Sequence, residues 1–187
     1  MSELSEETKA GLLKIARASI RAELKTGMSA EEDKFETFEL REVSGIFVTI
    51  KNKGMLRGCI GHIHQDKLTL DTLKEVAASA ASNDPRFPSV TIDELEEIDL
   101  EITILSPFKK IKKTDEIEIG KHGLFIKSGY NQGLLLPQVA PENNFDKTEF
   151  LEHTCMKAGL SVNAWKEKET DIYIFSGEVF GESTDNQ

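Results

Sequence analysis

A chain of 187 residues that is 39% hydrophobic and 30% charged can bury a real core, and none of its apolar runs nears the ~20 residues that span a bilayer. Acids outnumber bases 33 to 23, and the formal net charge of −10 opposes phosphate backbones, so neither nucleic acid nor membrane is an expected partner. Two cysteines are too few for a disulfide framework and the acidic start lacks a signal-peptide layout, so the expected setting is the cytoplasm with both thiols reduced.

The first element is a helix. Ser5 can cap it, Glu6 and Glu7 suit the positive end of its dipole, and Leu13, Ala16, Ile20 and Leu24 fall on one stripe, with Gly27 as a stop. The polar stretch "SAEEDKFETFE" is ambiguous. Two strands follow, "GIFVTIK" and "MLRGCIGHI", joined through Asn52-Lys53-Gly54, a turn in which glycine supplies positive φ. A second helix, "TLDTLKEVAASAASN", aligns Leu70, Leu73, Ala77 and Ala80, and its alanines let the backbone lie close to a sheet. Asn83-Asp84-Pro85 ends it, because the residue before proline avoids helical angles. "LEEIDLEITIL" then alternates strictly, with Ile98, Leu100, Ile102 and Ile104 inward.

The second half repeats this order. "EIEIG" and "GLFIKSG" read as one hairpin, and "GLFIKSG" and "GLLLPQV" as another that turns through residues 129 to 133. A helix, "DKTEFLEHTCMKAG", ends at Gly159, and one strand, "DIYIFSGEVF", closes the chain before the polar tail 183–187. The fold class is α+β: a largely antiparallel sheet covered by helices, in one domain over 1–187, with sub-halves at about 37–107 and 108–182.

Chemistry concentrates in "LRGCIG". Glycine inside a strand costs roughly 0.5–1 kcal/mol relative to alanine, yet Gly58 and Gly61 both stand there. Period-2 alternation puts Arg57, Cys59 and Gly61 on one face, so a guanidinium can favour the reactive thiolate while the missing side chain leaves room beyond it. The alternatives are an inert packed thiol and a bulge, which would shift the faces. Arg57 can instead pair with Asp99 or Glu101. Asn83, Asp84 and Arg86 lie in a loop that can serve binding or pin itself, and Gln138 follows a proline at a strand end. Cys155 reads as core and His153 as exposed. His62 and His64 share a face and could chelate a metal with His122 or His153, but no CxxC or HExxH supports a metal, and a solvated edge is the commoner reading. The basic run "FKKIKK" reads as the border of a hairpin. The chain has no Walker loop, GxGxxG or GxSxG, and no cofactor is expected.

Taken in order, "LRGCIG", "NDPRFPSV" at 83 to 90, "ELEEIDLEITILSP" at 94 to 107, "GLLLPQVAPE" at 133 to 142 and "FLEHTCMKAGL" at 150 to 160 resemble the AMMECR domain family, in its prokaryotic form. The resemblance runs from about residue 10 to residue 181 and implies an internally duplicated antiparallel α+β fold with a cleft near "LRGCIG". It implies a shared pathway with Memo-like and radical S-adenosylmethionine proteins, and it names no reaction. Cys155 is missing from animal members of the family, so a function common to all of them would not need it.

Two functions follow as expectations. In the first, Cys59 is a nucleophile or covalent carrier and Arg57 lowers its pKa or orients an anionic substrate. Gly58 and Gly61 admit that substrate, and Arg86 or Gln138 fixes it. Small acid-containing molecules or modified nucleotides are the substrates to screen. In the second, the same stretch is a non-catalytic groove for a peptide or a pathway partner, and Cys59 is structural.

Overall fold

The computed structural model describes residues 4–24, 43–63 and 70–182. In chain order these form α1 (Glu6–Leu24), β1 (Gly45–Asn52), β2 (Met55–Ile63), α2 (Leu70–Ser82), β3 (Ile98–Leu105) and β4 (Lys109–Lys110). There follow β5 (Gly123–Ser128), β6 (Asn131–Leu135), α3 (Val139–Glu142), α4 (Lys147–Lys157), β7 (Asp171–Phe175) and β8 (Gly177–Gly181). The strands make two four-stranded antiparallel sheets, ordered β2-β1-β3-β8 and β4-β7-β5-β6. The fold is α+β, as the alternation of patterns implies. The stop at Gly27, the stretch "SAEEDKFETFE" and His64 lie outside the described residues.

The chain divides into two compact units. The first holds Met1–Ile104 with Glu178–Gln187, and the second is the continuous segment Leu105–Gly177. In the first, the Ser5 hydroxyl accepts the Thr8 N–H at 3.3 Å and so caps α1, whose Leu12, Leu13, Ala16 and Ile20 are buried with Leu73, Val76, Ala77 and Ala80 of α2. Ile46, Val48 and Ile50 of β1 and Ile98, Leu100, Ile102 and Ile104 of β3 complete this core. The β1–β2 hairpin turns on Lys53 (φ 52°) and Gly54 (φ 77°), the two positive-φ residues that a tight hairpin requires. Arg17 on α1 bonds the carbonyls of Leu95 and Ile98 at 2.7 Å and reaches Glu182 beyond β8 at 2.6 Å.

In the second unit, Asp146 accepts the Glu149 N–H at 2.8 Å and Glu149 returns a bond from the Asp146 N–H at 2.9 Å, a reciprocal cap that starts α4. Phe150, Leu151 and Cys155 of that helix bury with Leu124 and Ile126 of β5. Two expectations are corrected here. "EIEIG" is no strand: Thr114–Glu116 form a 3-10 turn, and Glu118 O accepts from the N–H of both Lys121 and His122. The alternating pattern loses because β5 is already paired on both flanks, by β6 and β7. "DIYIFSGEVF" is two strands in different sheets, broken at Ser176, whose N–H donates to Ser106 Oγ at 2.9 Å while its carbonyl accepts the Ser106 N–H.

The halves repeat each other. Hairpin, helix and strand recur as β1-β2-α2-β3 and β5-β6-α4-β7, and both sheets place the hairpin's second strand on the outside. Gly58 stands opposite the fully buried Ile50, and Gly133 opposite the fully buried Ile126.

Candidate functional site

Among the described residues, the second strand of the first hairpin, β2, has no strand on its outer side, so the backbone groups at Cys59 lie at an edge of the described sheet. Across the hairpin Cys59 faces Thr49, whose hydroxyl donates to Sγ at 3.2 Å. Outside the hairpin the loop after α2 takes the place of a strand. The Cys59 N–H donates to Asp84 Oδ2 at 2.8 Å, and the Cys59 carbonyl accepts from Arg86 Nη2 at 3.2 Å. Covering an exposed sheet edge this way keeps it from pairing with another chain.

Asp84 and Arg86 hold each other. Arg86 donates to Asp84 through Nε at 2.9 Å and Nη2 at 2.7 Å, and its own N–H adds a third bond at 3.0 Å. The Arg86 guanidinium, helped by the Cys59 N–H and opposed by burial, holds the Asp84 carboxyl well below the usual carboxylate range. The same hydrogen bond raises the pKa of Arg86, which is further raised by the neighbouring Cys59 side chain. The Asp84 side chain is only 3% exposed but the Arg86 side chain is 54% exposed, so solvent meets the basic partner of the pair and not the acidic one.

Arg57 does something else. Ile50 pairs with Gly58 and Lys51 with Leu56, which leaves Arg57 as the extra residue of a β-bulge and ends the simple alternation with Cys59. Its side chain grips Glu94 with Nε at 2.8 Å and Nη2 at 3.1 Å, and donates to the carbonyls of Pro88 at 2.8 Å and Ser89 at 3.1 Å. Those bonds, with help from the Thr91 N–H, lower the Glu94 pKa to about 2. The expected partners Asp99 and Glu101 are not used; Glu101 pairs with Lys51 at 2.8 Å. Arg57 is therefore the clamp on the loop, and Arg86 is the cation beside Cys59.

The glycines have separate reasons. A Cβ on Gly58 would lie 2.3 Å from the carbonyl oxygen of Ala80, so the strand is bare where α2 crosses it. A Cβ on Gly61 would meet the ring of Phe47, its cross-strand partner, at 2.0 Å. The room expected beyond Cys59 is filled by that ring, an aromatic covering an edge glycine. Gln138 is exposed at the start of α3, in the second unit. Cys59 is half-buried and Cys155 fully buried, and burial pushes the Cys155 thiol pKa up. His153 is exposed and stacks on Phe145 at 4.1 Å, and no metal-binding cluster occurs among the described residues. Thr49 and Glu94 were not foreseen. The signal for Thr49 was its place opposite Cys59 across a tight hairpin; Glu94 offers none before the loop folds back.

Residues 13–180 match the AMMECR1 family model. The chain belongs to the AMMECR1 family. A protein from Methanosarcina mazei is 47% identical to it over 189 aligned residues, covering 96% of this chain and 94% of that one. One from Methanopyrus kandleri is 42% identical, covering 91% and 86%. The crystal structure of an uncharacterised protein from Pyrococcus horikoshii superimposes with a TM-score of 0.83 at 35% identity, covering 96% of this chain and 94% of that one. In this AMMECR1 chain the motifs "LRGCIG" and "NDPRFPSV" form one hydrogen-bonded unit, with Arg57, Cys59, Asp84 and Arg86 as its fastenings. Among the described residues, no helix of this AMMECR1 protein is long and apolar enough to cross a membrane.

Proposed function

We propose that the Cys59–Arg86 edge of β2 is a small-molecule site in which the thiol is the reacting group and Arg86 holds an anionic part of the substrate. The observation that carries this reading is the half-exposed Arg86 side chain beside the half-buried Cys59. Nε and Nη2 are used by Asp84 and the Cys59 carbonyl, while Nη1 has no partner among the described residues. A guanidinium edge of this kind suits a carboxylate or phosphate oxygen. Thr49 orients the sulfur, and Arg57 positions the loop that presents Arg86. Gly58 and Gly61 shape the strand without touching the ligand. Small acid-containing molecules and modified nucleotides are the substrates to test.

Alkylation tests it directly, since Cys155 is fully buried and folded protein offers only Cys59. Relative to a free thiol, Cys59 should prefer anionic iodoacetate over neutral iodoacetamide by at least about tenfold, and Arg86→Gln should abolish that preference. A ratio equal to the free thiol's removes the anion site.

The non-catalytic reading draws support from Met55 and Leu56, 72% and 45% exposed at the tip of the hairpin, a place for a protein partner such as a Memo-like protein. In that case Cys59→Ala leaves capture of the partner intact while Met55→Asp abolishes it, and capture that survives both changes rejects this docking surface.

A further inference from the structure

Small aliphatic acids and nucleotides differ in one respect that the first unit can sense: only the nucleotides carry a flat ring. Cys59 and Gly61 lie on one face of β2, two residues and so about 7 Å apart. Phe47 stands opposite Gly61 on β1. Its Cδ1 lies only 2.0 Å from where a Cβ on that glycine would be, so the half-buried ring leans across the pair onto β2. The missing Cβ of Gly61 thus brings an aromatic ring to the next place along the strand from the thiol.

A second ring supports the cation. Arg86 reaches Cys59 from outside the hairpin, and its Cζ lies 5.5 Å from the centre of the half-buried Phe87 ring. Asp84 holds Nε and Nη2, the Cys59 carbonyl shares Nη2, and Phe87 backs the guanidinium, which is therefore fixed in orientation with Nη1 left over among the described residues.

The internal repeat shows that the fold does not ask for this arrangement. Gly58 corresponds to Gly133, so the facing pair Thr49 and Cys59 corresponds to Phe125 and Leu134. Phe125 is 3% exposed and stacks on Phe108 at 4.8 Å, which fills that place in the second unit with hydrocarbon. In the first unit the same place holds two small polar side chains, both half-buried, beside a ring and a guanidinium. Packing alone is met as well by the apolar pair.

We infer that the Cys59 site takes an anion built on a flat ring, the ring resting against Phe47 and the carboxylate or phosphate on Arg86 Nη1. This assignment rests on the anion site proposed above and names its substrate class. Phe47 sets specificity, and Phe87 is a positioning residue that acts through Arg86. An aliphatic acid meets the guanidinium alone.

Protection of Cys59 tests the assignment, with neutral iodoacetamide as the reagent and the full-length protein as the target. AMP, CMP, benzoate and nicotinate are the ring anions. Ribose 5-phosphate and acetate carry the charge without a ring, and adenosine carries a ring without the charge. At least one ring anion should slow alkylation saturably below about 10 mM. Its ringless counterpart and adenosine should each need about fivefold more or above, the size expected for loss of one stacked ring. Protection by the nucleotides assigns a phosphate ligand, and protection by benzoate or nicotinate a carboxylate one. Phe47→Leu keeps an apolar side chain against Gly61 and should erase the preference for a ring, while Phe47→Tyr should retain it. Both variants should keep the preference for iodoacetate over iodoacetamide, which reads Arg86 alone. The assignment is overturned if no ring anion protects, if ribose 5-phosphate or acetate protects as well, or if Phe47→Leu leaves the ring preference intact. A wild-type protein that meets one of those outcomes yet still prefers iodoacetate loses the ring site and keeps the anion site; one that also shows no iodoacetate preference loses both.

Discussion

Gly58 and Gly61, three positions apart on one strand, answer to different neighbours, and a single methyl group separates them. On Gly58 it would press on the Ala80 carbonyl, and backbone cannot step aside, so Gly58→Ala should cost about 1–3 kcal/mol or more. On Gly61 it meets the half-buried Phe47 ring, which can swing outward, so Gly61→Ala should cost less, about 1 kcal/mol or under. Urea unfolding midpoints at equal m-values measure both, and a larger loss at Gly61 would contradict the packing described here. The sequence made these glycines conspicuous and could not explain them, because Ala80 is 22 positions beyond Gly58 and the Phe47 ring reaches Gly61 only once the hairpin register is set. For the same reason Arg57 and Cys59 looked like partners. A bulge, invisible to period-2 counting, separates them, and the cation that meets the thiol comes from the loop after α2.

The loop from Asp84 to Glu94 behaves as one element, tied to β2 by the Arg57–Glu94 pair and by the bonds of Asp84 and Arg86 to the Cys59 backbone, and braced within itself by the Asp84–Arg86 pair. Both carboxylates have folded pKa values depressed below their ordinary 3.8 and 4.5, to about 2 for Glu94 and further for Asp84. Depression means the folded state releases its protons more readily than the unfolded chain. The stabilisation is therefore complete above the unfolded values and drains away as pH falls from about 4.5 toward the folded ones. Stability should be flat above about pH 5 from these two groups and decline below it, and Glu94→Gln should flatten the decline at its upper end. Urea midpoints between pH 6 and pH 3 measure this, and identical slopes in both proteins would show that Glu94 adds nothing. At this scale the sequence was a fair guide to what repeats locally: the hairpin containing "LRGCIG" and the helices α1, α2 and α4 stand where periodicity puts them, while the second hairpin turns at Gly129-Tyr130 and its outer strand is Asn131–Leu135, earlier than the expected turn through 129 to 133 and strand "GLLLPQV". It misled where a good local pattern met an occupied place, as "EIEIG" did beside a β5 already paired on both flanks.

At the level of the molecule, the repeat is stricter in structure than in residues. Gly58 and Gly133 share only their chemistry, yet each lies opposite a buried isoleucine where a helix backbone closes to 2.3–2.4 Å of a would-be Cβ. The second unit is one unbroken segment, Leu105–Gly177, which contains β4, β5, β6 and β7, all the strands of its sheet. The first unit lacks β8 until the chain has returned from the second. A fragment of residues 105–177 should accordingly fold and melt cooperatively, whereas residues 1–104 should not, since β3 would lose its outer neighbour and Arg17 its carboxylate. Circular dichroism melts of the two fragments check this, and cooperative melting of residues 1–104 would count against it. The order of synthesis then matters. A ribosome delivers β1, β2 and β3 long before β8, the strand that closes their sheet, so the inserted unit can be finished while its host still waits.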